Sequence, residues 1–178
     1  AHWDINAGSI DATAIAGADY IIHLAGAGVA DKRWSLARKQ EILDSRTKSS
    51  ALLVKALQET PNKVKAVICA SAIGWYGPDT AQSLMNGFTE TDPVDGAYLG
   101  ATCKSWEESV KPIEALGIRL VTLRIGIVLN KKGGALAEFI KPAQFGMATI
   151  FGNGKQMVSW IHHHDLCKMM IHGIETAS

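Results

Sequence analysis

The chain has 178 residues, of which 47% are apolar and 20% are charged, so it has enough material for one buried core and is not expected to be disordered. Eighteen basic and seventeen acidic residues leave a formal charge of +1, which argues against nucleic acid or an anionic membrane as a partner and favours a small molecule. The three cysteines lie outside any CxxC pattern, so we expect a cytoplasmic protein without a disulfide framework or a zinc site. No apolar run approaches the roughly 20 residues that span a bilayer, so we expect no membrane helix.

Three continuous apolar runs rich in valine and isoleucine predict buried strands of a parallel sheet, because half-exposed strands would alternate apolar and polar residues instead. The runs are residues 20–24, 64–69 and 118–123. Helical periodicity separates them, over residues 35–59 and again over residues 103–116, where Pro112 is expected to bend or restart the helix. The alternation of strand and helix predicts an α/β fold with a parallel sheet.

The chain changes character after residue 130. Gly133 and Gly134 open a short predicted helix, and a glycine-rich stretch over residues 151–154 follows it. Loops of this kind often contact ligands. A last helix is predicted over residues 166–174, with Asp165 at the position where a side-chain oxygen caps the helix.

The sequence Gly26-Ala27-Gly28 follows the first predicted strand and resembles the start of a GxGxxG dinucleotide fingerprint. That fingerprint needs glycine or alanine at its sixth position and a helix directly after it. Asp31 occupies the sixth position, and the helical pattern begins only near Ser35. We therefore interpret this segment as the turn after a later, central strand of the sheet.

Several segments, taken in their order along the chain, resemble a known family. The segment IIHLAGA at residues 21–27 resembles the fourth strand and the following turn of extended short-chain dehydrogenases/reductases. The later segments that agree are EILDSR at 41–46, SAIGWYG at 71–77, WE at 106–107, LRIGIVL at 123–129, and WIH at 160–162 with Asp165. Together they resemble the subgroup called epimerase family proteins. The resemblance implies a Rossmann-type, doubly wound parallel sheet that binds NADP, with NAD as the alternative.

Members of this family begin with a strand, a GxxGxxG turn and a helix, which are not found in this sequence. We therefore expect that the first βαβ phosphate-binding unit is missing, that the chain is incomplete at both ends, and that these residues do not supply the helix-end amides that hold pyrophosphate. On this basis, residues 1–130 are interpreted as a partial dinucleotide-binding core. Residues 131–178 are interpreted as the start of a substrate-binding region with a returning helix.

In this class a YxxxK motif lies on the helix after the fifth strand. Its lysine assists the tyrosine in exchanging a proton with the substrate oxygen, while nicotinamide exchanges hydride. Lys104 would need a tyrosine at position 100, which is Gly100, and Tyr98 is displaced from that position. If Glu107 anchors the alignment, the lysine position falls on Cys103. The motif is broken in either alignment.

Four residues are nonetheless candidates for catalysis. Ser71 follows the second strand and could contact a substrate oxygen, or could bond only its own backbone. Tyr76 lies near the same strand end and is a candidate for proton transfer, with a pocket wall or structural support as the alternatives. Tyr98 and Lys104 are candidates as displaced motif residues, the alternatives being an exposed turn residue and a solvated helix lysine.

The expected cofactor contacts lie after the first strand, on the following helix and after the third strand. Small residues after a parallel strand let the backbone approach the dinucleotide. The residues concerned are Leu24, Ala25 and Gly26. By resemblance, Glu41 and Arg46 of the helix also face the cofactor, with an ordinary surface charge pair as the alternative. The resemblance also implies that the backbone of Val128 meets the nicotinamide end.

The run His162-His163-His164-Asp165 contains metal-ligating residue types. However, neighbours in sequence point in different directions, and no second ligand pair stands at helical spacing, so no metal site is expected. The resemblance implies that His162 and Asp165 are a strand-end and helix-cap pair. Arg124 is interpreted as a structural residue that binds a carboxylate or a backbone carbonyl.

The resemblance implies an NADP-linked oxidoreductase or epimerase-like enzyme that acts on a small alcohol, a ketone or a nucleotide-sugar-like substrate. The alternative is a dinucleotide-binding protein that has lost catalysis and serves as a sensor or interaction module. The broken YxxxK motif favours the alternative. Ser71, Tyr76 and the glycine-rich later loops favour the enzyme.

Overall fold

The computed structural model, which describes residues 1–131, 133–147, 150, 154 and 156–176, begins with a short hairpin that the sequence did not predict. Its antiparallel strands are β1 (Trp3–Asp4) and β2 (Ser9–Ile10), and helix α1 (Ala12–Gly17) follows. The Asp4 carboxylate accepts hydrogen bonds from the backbone N–H groups of Asn6 and Ala7, at 2.8 and 3.0 Å. An aspartate that bonds the backbone in this way stabilises the turn between the two strands.

The central sheet contains three parallel strands, arranged in the order in which they occur in the chain. They are β3 (Tyr20–His23), β4 (Ala66–Ala72) and β5 (Arg119–Ile125). The register aligns Ile22 with Ile68 and Ile68 with Val121. The predicted parallel strands are therefore confirmed, with boundaries that differ by at most three residues.

Helices connect the strands, as the sequence predicts. Helix α2 (Leu36–Glu59) joins β3 to β4, and the Ser35 hydroxyl caps it by accepting from the Arg38 N–H at 3.1 Å. A 3₁₀ turn (Ile73–Trp75) and helix α3 (Ala81–Asn86) follow β4, and helix α4 (Tyr98–Val110) precedes β5. Helix α4 begins before the predicted residue 103. A 3₁₀ turn (Lys111–Leu116) replaces the α-helix where Pro112 occurs, which confirms the predicted restart.

The last part of the chain forms a second, two-stranded parallel sheet. The strands of this sheet are β6 (Ile127–Leu129) and β7 (Trp160–His162). Helix α5 (Ala135–Gln144) lies between them in the chain, and helix α6 (His163–Glu175) follows β7. The predicted cap by Asp165 is wrong, because β7 leads directly into α6 and places Asp165 inside the first turn, where a negative charge favours the helix dipole. Residues 151–153 of the predicted glycine-rich loop lie outside the described residues.

Helices cover both faces of the central sheet. On one face, Val67 and Cys69 of β4 pack with Leu53 of α2 and Val110 of α4 in a buried cluster. On the other face lies α6, where a Cβ added to Gly173 would lie 3.4 Å from Ile68 and 3.7 Å from Val121. This is the doubly wound arrangement that the sequence predicts. Within the described part of the chain, none of these helices is long and apolar enough to cross a membrane.

Candidate active site

The loop that follows β3 lies against helix α2. The Ala27 N–H donates to Ser45 Oγ at 2.9 Å, and Arg46 Nη1 donates to the Ala27 carbonyl at 3.0 Å. A Cβ added to Gly26 would lie 3.2 Å from Arg46 Cγ and Cζ, so the glycine allows the loop to rest on the arginine. Residues 24–26 are exposed or half-buried, which leaves the backbone at the carboxyl end of β3 open to a ligand.

Arg46 is buried rather than on the surface of α2. Its Nη1 also donates to the Ile42 carbonyl at 3.0 Å, and its guanidinium lies 4.8 Å from the centre of the Trp106 ring. Burial lowers the pKa of Arg46 from its usual value. Glu41 is exposed and pairs with Arg38 at 2.8 Å, and the hydrogen bond from Arg38 lowers the pKa of the Glu41 carboxyl. The alternative of a surface pair between Glu41 and Arg46 is therefore wrong.

Ser71 lies near the carboxyl end of β4, with only 3% of its surface exposed. Its hydroxyl donates to Glu107 Oε1 of α4 at 2.7 Å. Arg124, the register partner of Ser71 on β5, donates from Nε to Oε1 at 2.9 Å and from Nη2 to Oε2 at 3.0 Å. The Glu107 carboxylate, by accepting these hydrogen bonds, raises the pKa of Arg124. Because a hydroxyl has one hydrogen, Ser71 can only accept from any further group.

Tyr76 follows the 3₁₀ turn after β4 and contributes to an open part of the same edge. Its Oη accepts a hydrogen bond from Arg124 Nη1 at 3.2 Å, and its ring stacks on Phe88 with 4.9 Å between ring centres. The tyrosine lines three cavities, of about 510, 310 and 280 Å³. Among the residues that the structure describes, Ser71 lines none of those three. Tyr76, unlike Ser71, therefore lines cavities of a size that suits a small molecule.

The structure does not bring Tyr98 and Lys104 together. The Tyr98 hydroxyl donates to the Lys39 carbonyl at 3.0 Å, and its ring packs edge-on against Trp34. Lys104 is exposed and lies 3.8 Å from Glu108 one helical turn away. Six residues of α-helix separate two side chains by about 120° around the helix axis, whereas the four-residue spacing of YxxxK keeps them on one side. Both residues remain candidates only by their resemblance to the motif.

The region after β5 contains the last candidate residues. Val128 lies in β6 and pairs with Ile161 of β7. The rings of His162 and His163 lie 4.4 Å apart between centres. Across the residues that the structure describes, no group of three or more histidine, cysteine, aspartate or glutamate side chains could hold a metal ion.

Glu107 and Arg124 are site residues whose connection the sequence analysis missed. The sequence places Glu107 in the family-like segment at 106–107 and at the anchor of an alignment, and it predicts that Arg124 binds a carboxylate or a backbone carbonyl. The sequence does contain a signal, because Arg124 lies between Leu123 and Ile125 in an apolar strand, and a charge in such a place requires a partner. That signal predicts a carboxylate nearby, but it does not choose between Glu107 and Glu108.

A family model described as the NAD dependent epimerase/dehydratase family matches residues 4–178. An epimerase family protein of Staphylococcus saprophyticus is 37% identical over 163 residues, which cover 90% of this chain and 52% of the relative. The epimerase family protein YfhF of Bacillus subtilis is 38% identical over 160 residues, which cover 89% of this chain and 51% of the relative. The chain thus spans about half the length of these curated relatives, and the resemblance found in the sequence is confirmed.

Solved structures agree with the fold. The crystal structure of a human epimerase family protein with NADPH matches at a TM-score of 0.81 and 29% identity, covering 90% of this chain and 54% of that one. UDP-glucuronic acid 4-epimerase from Bacillus cereus, solved with UDP-glucuronic acid and NAD, matches at a TM-score of 0.79 and 21% identity, covering 99% and 55%. The second likeness concerns the fold alone. Both confirm the predicted Rossmann-type fold.

Proposed function

The chain belongs to the NAD dependent epimerase/dehydratase family, and from this premise we propose that the protein is an enzyme of epimerase or oxidoreductase type that uses NADP, with NAD as the alternative. The observation that carries the proposal is the position of Tyr76, which follows β4 and lines a cavity of about 510 Å³. The open loop after β3 lies at the same edge of the sheet, where α/β folds bind ligands. The three cysteines are free, which fits a reducing cytoplasm.

We assign the cofactor to the loop after β3. Leu24, Ala25 and Gly26 would bring their backbone to the dinucleotide, and the exposed Glu41 carboxylate suits ribose hydroxyls. Arg46 would act by shaping this loop through the Ala27 carbonyl, because its Nη1 is already bonded to backbone oxygens. The backbone of Val128 in β6 would meet the nicotinamide end, at the start of the region after residue 130 that we assign to the substrate.

Bound nicotinamide would supply the hydride chemistry. The residues of this chain would exchange a proton with the substrate oxygen, and we assign this role to the phenol of Tyr76. Ser71 would serve as an acceptor, since its hydrogen is donated to Glu107. The proposed substrate is a small alcohol, a ketone or a nucleotide-sugar-like compound.

One observation favours the second candidate function, a dinucleotide-binding sensor without catalysis. Tyr98 and Lys104, the residues nearest to the YxxxK motif, are engaged with Lys39 and Glu108 instead of with one another. A protein of this kind would bind the cofactor at the same loop but would turn over no substrate.

The proposal is tested by titrating NADPH and NADH and following nicotinamide fluorescence. Ala25→Phe should weaken binding by about tenfold or more, because the larger side chain fills the space that the dinucleotide backbone needs. Ala51→Phe, on the exposed side of α2, is the matched control and should bind as the wild type does. If Ala25→Phe binds as tightly as the control, the cofactor does not lie on this loop. Turnover of NADPH with a panel of aldehydes and ketones then separates the enzyme from the sensor.

A further inference from the structure

The phenol of Tyr76 has a cationic neighbour that comes from a strand rather than from a helix. In short-chain dehydrogenases the YxxxK lysine supplies the positive charge beside the catalytic tyrosine. Here Arg124 Nη1 donates to Tyr76 Oη at 3.2 Å, and the Arg124 guanidinium lies 5.3 Å from the centre of the tyrosine ring. We propose that Arg124 is the positioning residue of Tyr76 and takes the place of the displaced motif lysine.

The guanidinium is held from several sides, which fixes its orientation before any ligand arrives. Glu107 binds it through both carboxylate oxygens. The Glu90 carbonyl accepts from Nη1 at 3.0 Å, and the face of the Trp75 ring lies 3.7 Å from the guanidinium carbon. A donor that is fixed in advance stabilises developing charge without having to reorganise. The Arg124 side chain is only 17% exposed, so solvent screens its charge less than it screens that of a surface arginine.

The direction of the hydrogen bond determines what the tyrosine can do. Arginine donates and never accepts, so Tyr76 Oη must be the acceptor in this contact. The contact with Arg124 therefore does not use the hydrogen of the phenol, which can be donated to another oxygen, and Tyr76 and Arg124 together line the cavity of about 280 Å³. When the phenol gives up that hydrogen, the negative charge develops on the atom that Arg124 contacts. Arg124 should stabilise this negative charge. The Glu107 carboxylate partly neutralises the arginine, so removing the charge of Glu107 should increase the stabilisation.

The test uses tetranitromethane, which nitrates tyrosine in its phenolate form, on the whole chain without substrate or cofactor. Mass spectrometry of one digest gives the nitration rate of each of the three tyrosines, and Tyr20, at the opposite end of the sheet, serves as the internal reference. Relative to Tyr20, Arg124→Gln should nitrate Tyr76 about threefold more slowly and Glu107→Gln about threefold faster, the scale of a partly screened charge. Arg124→Lys keeps the charge and should restore most of the wild-type rate.

We expect the nitration rate of Tyr76 to fall in Arg124→Gln and to rise in Glu107→Gln. If Arg124 served only to pack against its neighbours, the two variants would not change the rate in opposite directions. If both variants change the Tyr76 rate in the same direction, or neither changes it, Arg124 is a structural residue and the inference fails. If circular dichroism shows that Arg124→Gln does not fold, Glu107→Gln must still raise the rate, and no rise overturns the inference. The inference rests on the proposed role of Tyr76, but its test and the NADPH test use different reagents and can fail separately.

Discussion

Ser71 on β4 and Arg124 on β5 are register partners whose side chains bind the same carboxylate, that of Glu107 on α4. The contact joins two neighbouring strands to the helix that connects them. It lies at the carboxyl edge of the sheet, directly beside the phenol of Tyr76. The side chains of Arg124 and Glu107 are 17% and 18% exposed, so this pair is more sheltered than the pair of Lys104 and Glu108, whose side chains are 54% and 62% exposed.

The first prediction concerns this carboxylate. Glu107→Ala should lower the free energy of unfolding by about 2–3 kcal/mol, because it removes the carboxylate that accepts from the Ser71 hydroxyl and from Nε and Nη2 of Arg124. Glu108→Ala is the matched control on the next residue. Its carboxylate is exposed and lies 3.8 Å from Lys104, so the loss should be below about 0.5 kcal/mol. Urea denaturation measures both, and equal losses would contradict the special role of Glu107.

The second prediction concerns proton transfer. Tyr76→Phe should lower the turnover rate by about 10²-fold, the usual scale of general acid–base assistance, while the affinity for NADPH changes little. The assay follows NADPH oxidation with the best ketone or aldehyde of the panel. Tyr20→Phe removes a phenol at the amino end of β3 and is the control. Unchanged turnover in Tyr76→Phe would remove this tyrosine from the mechanism, whereas tight NADPH binding without any turnover would favour the sensor.

The third prediction concerns the buried histidine of β3. His23 is 3% exposed, its Nε2 lies 3.2 Å from Ser50 Oγ, and its ring stacks on Trp3. Burial lowers the pKa of His23 from 6.5 to about 4. The unfolded chain therefore binds a proton at a higher pH than the folded chain does. Above about pH 6.5 the ring is neutral in both states, and the folded chain has its full stability. As the pH falls toward 4, the free energy of unfolding should decrease by on the order of 3 kcal/mol.

This loss is measured by urea denaturation at a series of pH values between 6.5 and 4. His23→Gln should flatten the pH dependence in that window, because glutamine does not titrate. His164→Gln, at an exposed position of α6, is the control and should keep the wild-type slope. An unchanged slope in His23→Gln would show that other groups cause the acid sensitivity.

The sequence predicted the elements whose patterns are long. The three parallel strands and α2 have continuous apolar runs or extended helical periodicity, and the structure confirms them. The β1–β2 hairpin was missed because each strand has two residues and shows no period. The start of α4 was missed because Gly100, Ala101 and Thr102 lack an apolar stripe, and the tertiary hydrogen bond from Tyr98 to Lys39 helps to fix that end of the helix.

The candidate site was predicted in part for a similar reason. Tyr76 could be placed near a strand end, because the end of an apolar run is visible in the sequence. The partners of Arg124 could not be placed, since they depend on the β4–β5 register and on the rotation of α4. Local periodicity shows which face of a strand or helix is buried, but it does not show which residues of two elements lie opposite each other.

The backbone around Gly100 leaves no room for the tyrosine that a YxxxK motif ending at Lys104 would need. The motif would place a tyrosine at position 100, which is buried in the first turns of α4. A Cβ at this position would overlap the carbonyl oxygen of Asp95 and lie 2.8 Å from the carbonyl carbon. The obstacle is backbone, which cannot move aside as a flexible side chain can.

The last prediction follows from that overlap. Gly100→Ala should lower the free energy of unfolding by about 2 kcal/mol, even though alanine favours a helix over glycine by about 1 kcal/mol. Gly96→Ala is the matched control, since a Cβ there meets no atom within 4 Å, and the change should stay within about 1 kcal/mol. Gly100→Tyr should be less stable than Gly100→Ala and should not restore proton transfer. If urea denaturation finds Gly100→Tyr as stable as the wild type, the turn at Asp95 yields to a side chain, and the missing motif has no steric cause.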